Sequence, residues 1–389
     1  MLTEFFQFHL PTKVIAGAGL ASDFGTELAE LHISRPLIVC DPVVRKIGLA
    51  DKVIAGLEAA GITPGGIYAD VPPNSEMQHV RQVAALFQET NCDSLIALGG
   101  GSTIDTAKVA NIMVSEADDI ENFIGVELLT RPLKPLVVIP TTAGTGSEVT
   151  NVAVILDEAQ NIKISFQDRH LLPKLAVLDP ELTMTMPPQV TAATGMDALT
   201  HAMEAYMGPQ ASPFSDAMAY TTVQLVHQSL VTAVREPQDV EARMAMLVAA
   251  CMGGIAFSHS MVGIVHAMSH TVGGLFHVAH GTANSILLPH GLRYNVPVVA
   301  AKLAQLAPAL GVAPAADADA TCERIIAAVD QLKAQLHALC GLPQRLREVG
   351  LTEADLPAVA AGAMMDGTSF CNPREMDEET VLAALQAAY

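Results

Sequence analysis

The sequence predicts an α/β unit built on a largely parallel sheet, followed by a unit made of helices alone. Three observations carry this. In the first half, short apolar runs alternate with helix-patterned stretches, the βαβα rhythm of a parallel sheet covered by helices. After about residue 185 the strand signals stop, and Ala-, Leu- and Met-rich runs with helical spacing take over. The chain has 389 residues, more than one hydrophobic core usually supports. The boundary falls at the Met186-Pro187-Pro188 break, giving units 1–185 and 186–389.

The elements follow in order. RPLIVCD (35–41) is a buried strand ending in an acid, and KVIAGLEAAGI (52–62) is a helix closed by Gly61. GGIYADVPPN (65–74) is a second strand running into a Pro-rich turn, and EMQHVRQVAALFQET (76–90) is a helix. DSLIALGGGS (93–102) is a strand entering a Gly-rich loop, followed by the helix TIDTAKVANIM (103–113). PLVVIPTTAGTGSE (135–148) repeats that arrangement with a Gly/Thr-rich loop. NVAVILD (151–157) and NIKISFQ (161–167) flank a polar EAQ turn as a β-hairpin, and KLAVLDPELT (174–183) holds a last short strand. Helices are then expected over 191–207, 215–234, 240–257 and 322–339.

Half the residues are hydrophobic and the mean hydropathy is +0.36, so a large core can be buried. Aromatics are scarce and Trp is absent, so Ala, Leu, Val and Met must fill that core. A net charge of −20 argues against a nucleic-acid partner, which needs a basic surface. It does not argue against a dinucleotide, which backbone N–H groups and local dipoles can hold. None of the six cysteines forms a C-x-x-C pair, so neither a disulfide framework nor a Cys-based zinc site is indicated. The start, MLTEFFQFHLP, lacks the basic and apolar regions of a secretion signal. The uncharged, histidine-free run 244–258 is too short to span a bilayer and contains Gly253-Gly254, which favours a buried core helix. A cytoplasmic protein with no membrane partner is the expectation.

GGGS (99–102) follows an apolar strand and opens a helix. Glycines there let the backbone approach a pyrophosphate, and the free N–H groups of a helix start favour the anion. A plain tight turn would look the same. The second loop, PTTAGTGSE (140–148), supplies context, because two such loops at strand carboxyl ends would line one crevice. Asp41 ends the first clear strand. Its carboxylate could accept the hydroxyls of an adenosine ribose and repel a 2′-phosphate, pointing to NAD over NADP, or it could merely cap the turn before Pro42. Lys163 on the hairpin is within reach of such a cofactor or is simply solvated.

GMDALTH places Asp197 and His201 four residues apart on one helix face, where carboxylate and imidazole can converge on one ion. HAMSHTVGGLFHVAHG adds His266, His270, His277 and His280, with His266 and His270 again at i, i+4. Gly273-Gly274 is expected to interrupt that helix and turn the chain back, carrying His280 to the same point. A lone His on an apolar helix is usually a core or surface residue; four in one stretch opposite an Asp-x-x-x-His favour a metal or catalytic site. Aspartate and histidine without cysteine suit Fe²⁺, Zn²⁺ or Mn²⁺.

Together, GGGSTIDTAK (99–108), PTTAGTGSE (140–148), LDP (178–180), GMDALTHAMEAY (195–206), the HAMSH…AHG block (266–281) and LPH (288–290) resemble the iron-containing, or group III, alcohol dehydrogenase family. The likeness runs from about residue 10 to about 300 and weakens in the last helices. It implies a Rossmann-like N-terminal domain, a C-terminal helical bundle and an active site in the cleft between them. It further implies Asp197, His201, His266 and His280 as metal ligands, with His270 a catalytic histidine beside them. Gly99, Gly100, Gly101, Ser102 and Asp105 would match the pyrophosphate segment, Thr141, Thr142, Thr145 and Ser147 the loop along the cofactor, Asn74 the turn near it, and Lys163 a lysine reaching toward the ribose. His259, His277 and His290 match no ligand.

The chemistry implied is hydride transfer between NAD(H) and a small primary alcohol, diol or hydroxyaldehyde at a divalent metal, Fe²⁺ first and Zn²⁺ or Mn²⁺ as alternatives. His270 would relay the alcohol proton, and Phe257 and Val152 are candidates for the pocket wall. Related chemistries stay open: glycerol or 4-hydroxybutyrate dehydrogenase, maleylacetate reductase, the cyclising dehydroquinate synthase, or a nucleotide-binding protein with a dead site. The complete Asp/His set weighs against maleylacetate reductase and, with the intact glycines, against a dead site, while GMDALTH and the block after it fit the alcohol dehydrogenase branch better than the cyclase. A homodimer or higher homo-oligomer is expected.

Overall fold

Strands apolar at every position need cover on both faces, and the sequence supplies it. A computed structural model describes residues 5–116, 119–158 and 162–389. Its strands are β1 (Lys13–Ala16), β2 (Pro36–Cys40), β3 (Gly66–Tyr68), β4 (Ser94–Gly99), β5 (Gly125–Val126), β6 (Leu136–Pro140), β7 (Val152–Asp157), β8 (Ile162–Gln167) and β9 (Leu175–Leu178). Between them lie helices α1 (Gly25–Glu30), α2 (Pro42–Lys46), α3 (Leu49–Ala59), α4 (Met77–Glu89) and α5 (Gly101–Ser115). Six strands form one parallel sheet in the order β1-β9-β6-β4-β2-β3.

The period of two divides the core. Leu37, Val39, Leu95, Ala97, Leu136 and Val138 pack with Val80, Val83, Phe87 and Ile104 of α4 and α5. Their neighbours Ile38, Cys40, Ile96, Leu98, Val137 and Ile139 pack on the other side with Phe24, Leu28, Val53 and Leu57 around α1 and α3. A one-residue slip of any strand would exchange these sets. The strand order reverses at β2 and β4, since β3 lies on one side of β2 and β4, β6 and β9 follow on the other. In open α/β sheets the carboxyl ends at such a reversal form the ligand crevice.

The hairpin pairs antiparallel from Val152↔Gln167 to Asp157↔Ile162 and joins β5 in a separate three-stranded sheet. Of the EAQ turn expected there, residues 159 and 160 lie outside the described residues. Two strands carried too little signal to be read. β1 is a mostly exposed edge strand beginning with Lys13, and β5 has two residues. The second expected strand shrinks to Gly66–Tyr68, because the Asp70-Val71-Pro72-Pro73 stretch leaves the ladder. The LDP motif has a structural job: Asp179 accepts bonds from the Gly19 and Ala21 amides, 3.1 and 2.9 Å, and so ties the turn after β1 to the end of β9.

The chain groups into two compact units, His9–Thr185 and Met186–Tyr389, the second also taking the leading segment up to Phe8. Phe8 is held there by aromatic stacking, its ring 4.9 Å from Phe214 and 4.4 Å from His259. The second unit is helical, as expected: α6 (Pro188–Met207), α7 (Pro213–Arg235), α8 (Val240–Ser260), α9 (Ile264–Phe276), α10 (His280–Leu303), α11 (Ala318–Cys340), α12 (Leu356–Met365) and α13 (Glu378–Ala388). Capping explains several boundaries. Ser212 and Ser215 form a capping box before α7, Asp239 and Asp317 cap α8 and α11, and Gly341 closes α11 in the left-handed region. By length and composition α8 could cross a membrane, yet it packs against α6 and α7, with Ala249, Gly253, Gly254 and Ala256 buried.

One sequence expectation fails here. Gly273 and Gly274 do not interrupt the histidine helix, for α9 runs through both. The turn is made by His277, which takes φ 56° and donates its amide to the Gly273 carbonyl at 3.1 Å. Histidine is tolerated at this left-handed C-cap, so the chain reverses three residues later than the glycines suggested.

Candidate functional site

In the sheet unit, the two loops meet at the strand ends. Gly100 caps α5 with extended backbone. A side chain on Gly99 would strike the Thr103 hydroxyl at 2.5 Å, and one on Gly101 would strike Thr145 at 2.9 Å. Glycine at 99–101 therefore lets the β4–α5 turn lie against Thr142 and Thr145 of the second loop. The Thr141 amide donates to Gly99 O at 3.0 Å and joins the loops at their base. The turn carrying Asn74 is tied to the same place, since Ser75 Oγ donates to Ser102 O at 2.8 Å and Ser102 Oγ donates to Pro73 O.

Asp105 and Ser147 turn inward. Ser147 Oγ donates to Asp105 Oδ1 at 2.7 Å, and Asp105 Oδ2 accepts the Val154 amide at 3.1 Å. Lys108, which the sequence reading passed over, sits fully buried between them. Its Nζ lies 3.2 Å from Ser147 Oγ, 2.8 Å from Thr150 O, 3.0 Å from Thr150 Oγ1 and 2.9 Å from Val152 O. Burial lowers this ammonium to about 8, against the pull of Asp105 and Glu148. These groups fasten the second loop and the hairpin to α5. Lys163 is exposed on β8, within electrostatic reach of Asp105. Asp41 acts as the N-cap of α2, its Oδ1 accepting from Val43 N and Val44 N at 2.8 and 2.9 Å.

In the helical unit, α6 presents Asp197 and His201 on one face, α9 presents His266 and His270, and α10 begins with His280. Asp197, His201, His266 and His280 each offer one ligand atom, and these atoms all lie within 4.8 Å of one another. Among the described residues, His259, His277 and His290 lie outside this group. Three lone-pair atoms face one further group. The Asn284 amide nitrogen lies 2.7 Å from Asp197 Oδ1 and 3.2 Å from Nε2 of both His266 and His280. Burial drives the His266 and His280 imidazoles well below their ordinary pKa, so both are neutral, the form that ligates metal. A buried carboxylate and three imidazoles converging on one point fit a divalent cation.

The surroundings set the orientation of these donors. Glu204 Oε2 accepts His266 Nδ1 at 2.6 Å, which aims Nε2 at the cluster. His280 Nδ1 lies 3.3 Å from Ser269 Oγ, while the His201 ring stacks on Phe257 at 4.4 Å. His270 stays outside the four. Its ring stacks on His280 at 5.3 Å, its Nδ1 lies 2.9 Å from Asp366 Oδ2, and its side chain is 33% exposed. Burial alone would push the Asp366 carboxyl up, but hydrogen bonds from His270 and Thr368 hold it at about 2. Glu204, Asn284 and Asp366 were missed in the sequence. The first two carry a weak signal, being three residues after His201 and four after His280 on the same helices.

Four donors that could hold a cation stand beside a partly exposed histidine–aspartate pair. Residues 11–180 match the family model described as iron-containing alcohol dehydrogenase, and residues 191–389 the model of that family's C-terminal part. The chain belongs to the iron-containing alcohol dehydrogenase family and is an oxidoreductase. It is 37% identical to a 1,3-propanediol dehydrogenase from Klebsiella pneumoniae, covering 100% of both chains. It is 36% identical to an NAD-dependent methanol dehydrogenase from Bacillus methanolicus, covering 94% of this chain and 95% of that one. The crystal structure of a 1,3-propanediol oxidoreductase superposes with a TM-score of 0.95 at 36% identity, covering 99% of this chain and 100% of that one.

Proposed function

We propose that this enzyme is an NAD(H)-linked alcohol dehydrogenase and aldehyde reductase for small primary alcohols, diols or hydroxyaldehydes, with Asp197, His201, His266 and His280 as ligands of a divalent ion, Fe²⁺ first. The observation that carries it is the convergence of those four donors from three helices within 4.8 Å. Iron is supported by the family, while the donor set also accepts Zn²⁺ or Mn²⁺. NAD is supported by the glycine and threonine loops at the carboxyl ends of β4 and β6, by Asp41 at the end of β2, and by the name of the Bacillus methanolicus relative. On this reading the sheet unit binds the dinucleotide and the helical unit performs the chemistry. The neutral substrates named for the relatives support small alcohols.

An ion held by Asp197, His201, His266 and His280 would supply polarisation of a substrate oxygen, and a dinucleotide held at the Gly99–Ser102 turn would supply the hydride acceptor. The protein's own residues do the rest. Asp366 holds Nδ1 of His270, which leaves Nε2 to take the hydroxyl proton and pass it to solvent through the exposed side of the ring. The Gly99–Ser102 turn offers backbone N–H groups to the pyrophosphate. Among the described residues none of the six cysteines forms a disulfide, which supports a reducing cytoplasm. Exposed Phe5 and the open edge at β1 offer surface for a homodimer.

The test is a metal-resolved activity screen. Metal-free protein is reloaded with Fe²⁺, Zn²⁺ or Mn²⁺, and NADH formation is followed over primary alcohols and diols. Turnover with at least one metal is expected. Silence with all metals and substrates would favour a nucleotide-binding protein without dehydrogenase activity.

A further inference from the structure

The three imidazoles of the cage are not held alike. The outer nitrogen of His201 is buried with no hydrogen-bond partner among the described residues. That of His280 meets, among the described residues, the Ser269 hydroxyl at 3.3 Å. Among the described residues His266 is the one of the three with a carboxylate on its outer nitrogen, Glu204 at 2.6 Å, and that residue is 3% exposed. Glu204 stands on α6 three residues after His201, so the helix that supplies two ligands also supplies the group that orients a third.

Glu204 has a second task. The first turn of α9 has no side-chain cap of its own, since its N-cap is Gly263. Glu204 Oε1 accepts the Val265 amide at 2.7 Å, and Oε2 accepts the His266 amide at 3.3 Å. Both oxygens are thus engaged by donors. A neutral amide at this position would turn its own NH₂ toward one of those N–H groups. Fixing the α9 start would not by itself require the imidazole contact, which is the shortest of the three bonds.

We propose that Glu204 is a positioning residue for the metal. It fixes the tautomer and ring rotation of His266, raises the donor strength of Nε2, and makes His266 the strongest of the three imidazole ligands. This rests on the metal-site reading above. Carboxylates placed behind ligating histidines typically contribute roughly 10–100-fold to metal affinity.

The experiment measures Co²⁺ affinity of the full-length protein by chelator competition, together with the Co²⁺ ligand-field spectrum. Glu204→Gln is expected to weaken Co²⁺ binding by roughly 10–100-fold and to shift the spectrum, and Ser269→Ala to change affinity by less than about threefold. Glu204→Asp keeps the charge near the α9 amides but withdraws it from the ring. It should melt close to wild type without metal and still bind Co²⁺ more weakly, which keeps the test open if the Gln variant folds poorly. In a His266→Ala background, Glu204→Gln should cost nothing further, because its effect passes through that ring. Wild-type affinity and spectrum in Glu204→Gln would overturn the proposal. So would an undiminished extra loss in the His266→Ala background, which would make Glu204 a helix cap only. If wild type binds no Co²⁺, or His266→Ala binds it normally, the ligand assignment itself fails.

Discussion

Replacing Gly281 with alanine should perturb the proposed metal centre without substituting any ligand. Gly281 directly follows His280 at the start of α10, where that helix abuts α6. A Cβ there would lie 2.8 Å from the Ala193 carbonyl carbon, closer still to its oxygen, and 3.4 Å from Asp197 Cβ. The obstacle is backbone, so no side-chain rotation relieves it. Restoring ordinary contact requires the two helices to separate by roughly 0.6 Å or more, against the ~0.2 Å that metal–ligand distances tolerate. His280 rides on the displaced end, away from Asp197. Overpacking alone should cost about 1–3 kcal/mol in metal-free protein. Metal affinity should fall by a further 10–100-fold, or about 1.4–2.8 kcal/mol. The assay is chelator competition on purified variants, with metal content per chain measured after dialysis. Gly274→Ala is the control, because nothing lies within 4 Å of its Cβ, and it should keep wild-type metal affinity. Wild-type affinity in Gly281→Ala would refute the claim that close approach of α10 to α6 builds the cage.

Other outcomes follow from the same geometry. His270→Ala should keep most of its metal but turn over slowly, whereas loss of the ion would place His270 among the ligands. Asp366 is held at about 2 in the folded chain against an ordinary 3.8, so its stabilisation is present above about pH 4 and lost as pH falls through 2. Asp366→Asn should therefore unfold more easily in urea at pH 7, by up to about 2 kcal/mol, with the gap closing as pH approaches 2. Lys108→Met takes the ammonium away from the buried Thr150 carbonyl, while Val152 O keeps the Thr150 hydroxyl at 3.4 Å, and should destabilise by about 1–3 kcal/mol in urea unfolding; a loss below about 0.5 kcal/mol would show that the ammonium is not needed there. Asp41→Gly should improve NADP use relative to NAD at a stability cost of only a few tenths of a kcal/mol, since glycine is a tolerable N-cap. An unchanged cofactor ratio would leave Asp41 a helix cap alone.

Much of this was legible in the sequence because the informative patterns are local. β2, β4 and β6 are buried on both faces, so each shows as an uninterrupted apolar run. Asp197 with His201, and His266 with His270, share a helix face through simple spacing. What escaped notice depends on partners far along the chain. Glu204 meets a histidine 62 residues away, Asn284 an aspartate 87 away, and Asp366 a histidine 96 away. Local spacing marks Glu204 and Asn284 only weakly, as neighbours of His201 and His280 on one helix face, and marks Asp366 not at all. The Gly273-Gly274 pair misled for the opposite reason. Its local signal was strong, but the surrounding helix tolerates it and a histidine makes the turn.

All four donors of the cage lie inside the helical unit, on segments spread from Asp197 to His280. An ion held there clamps three helices of one unit and none of the other. Binding to the native state alone stabilises in proportion to the logarithm of free metal over its dissociation constant. Metal supply should therefore govern how long the helical half survives heat or a protease. In a metal-starved cell the helices from Asp197 to His280 would be the part of this chain that ages fastest for want of its ion.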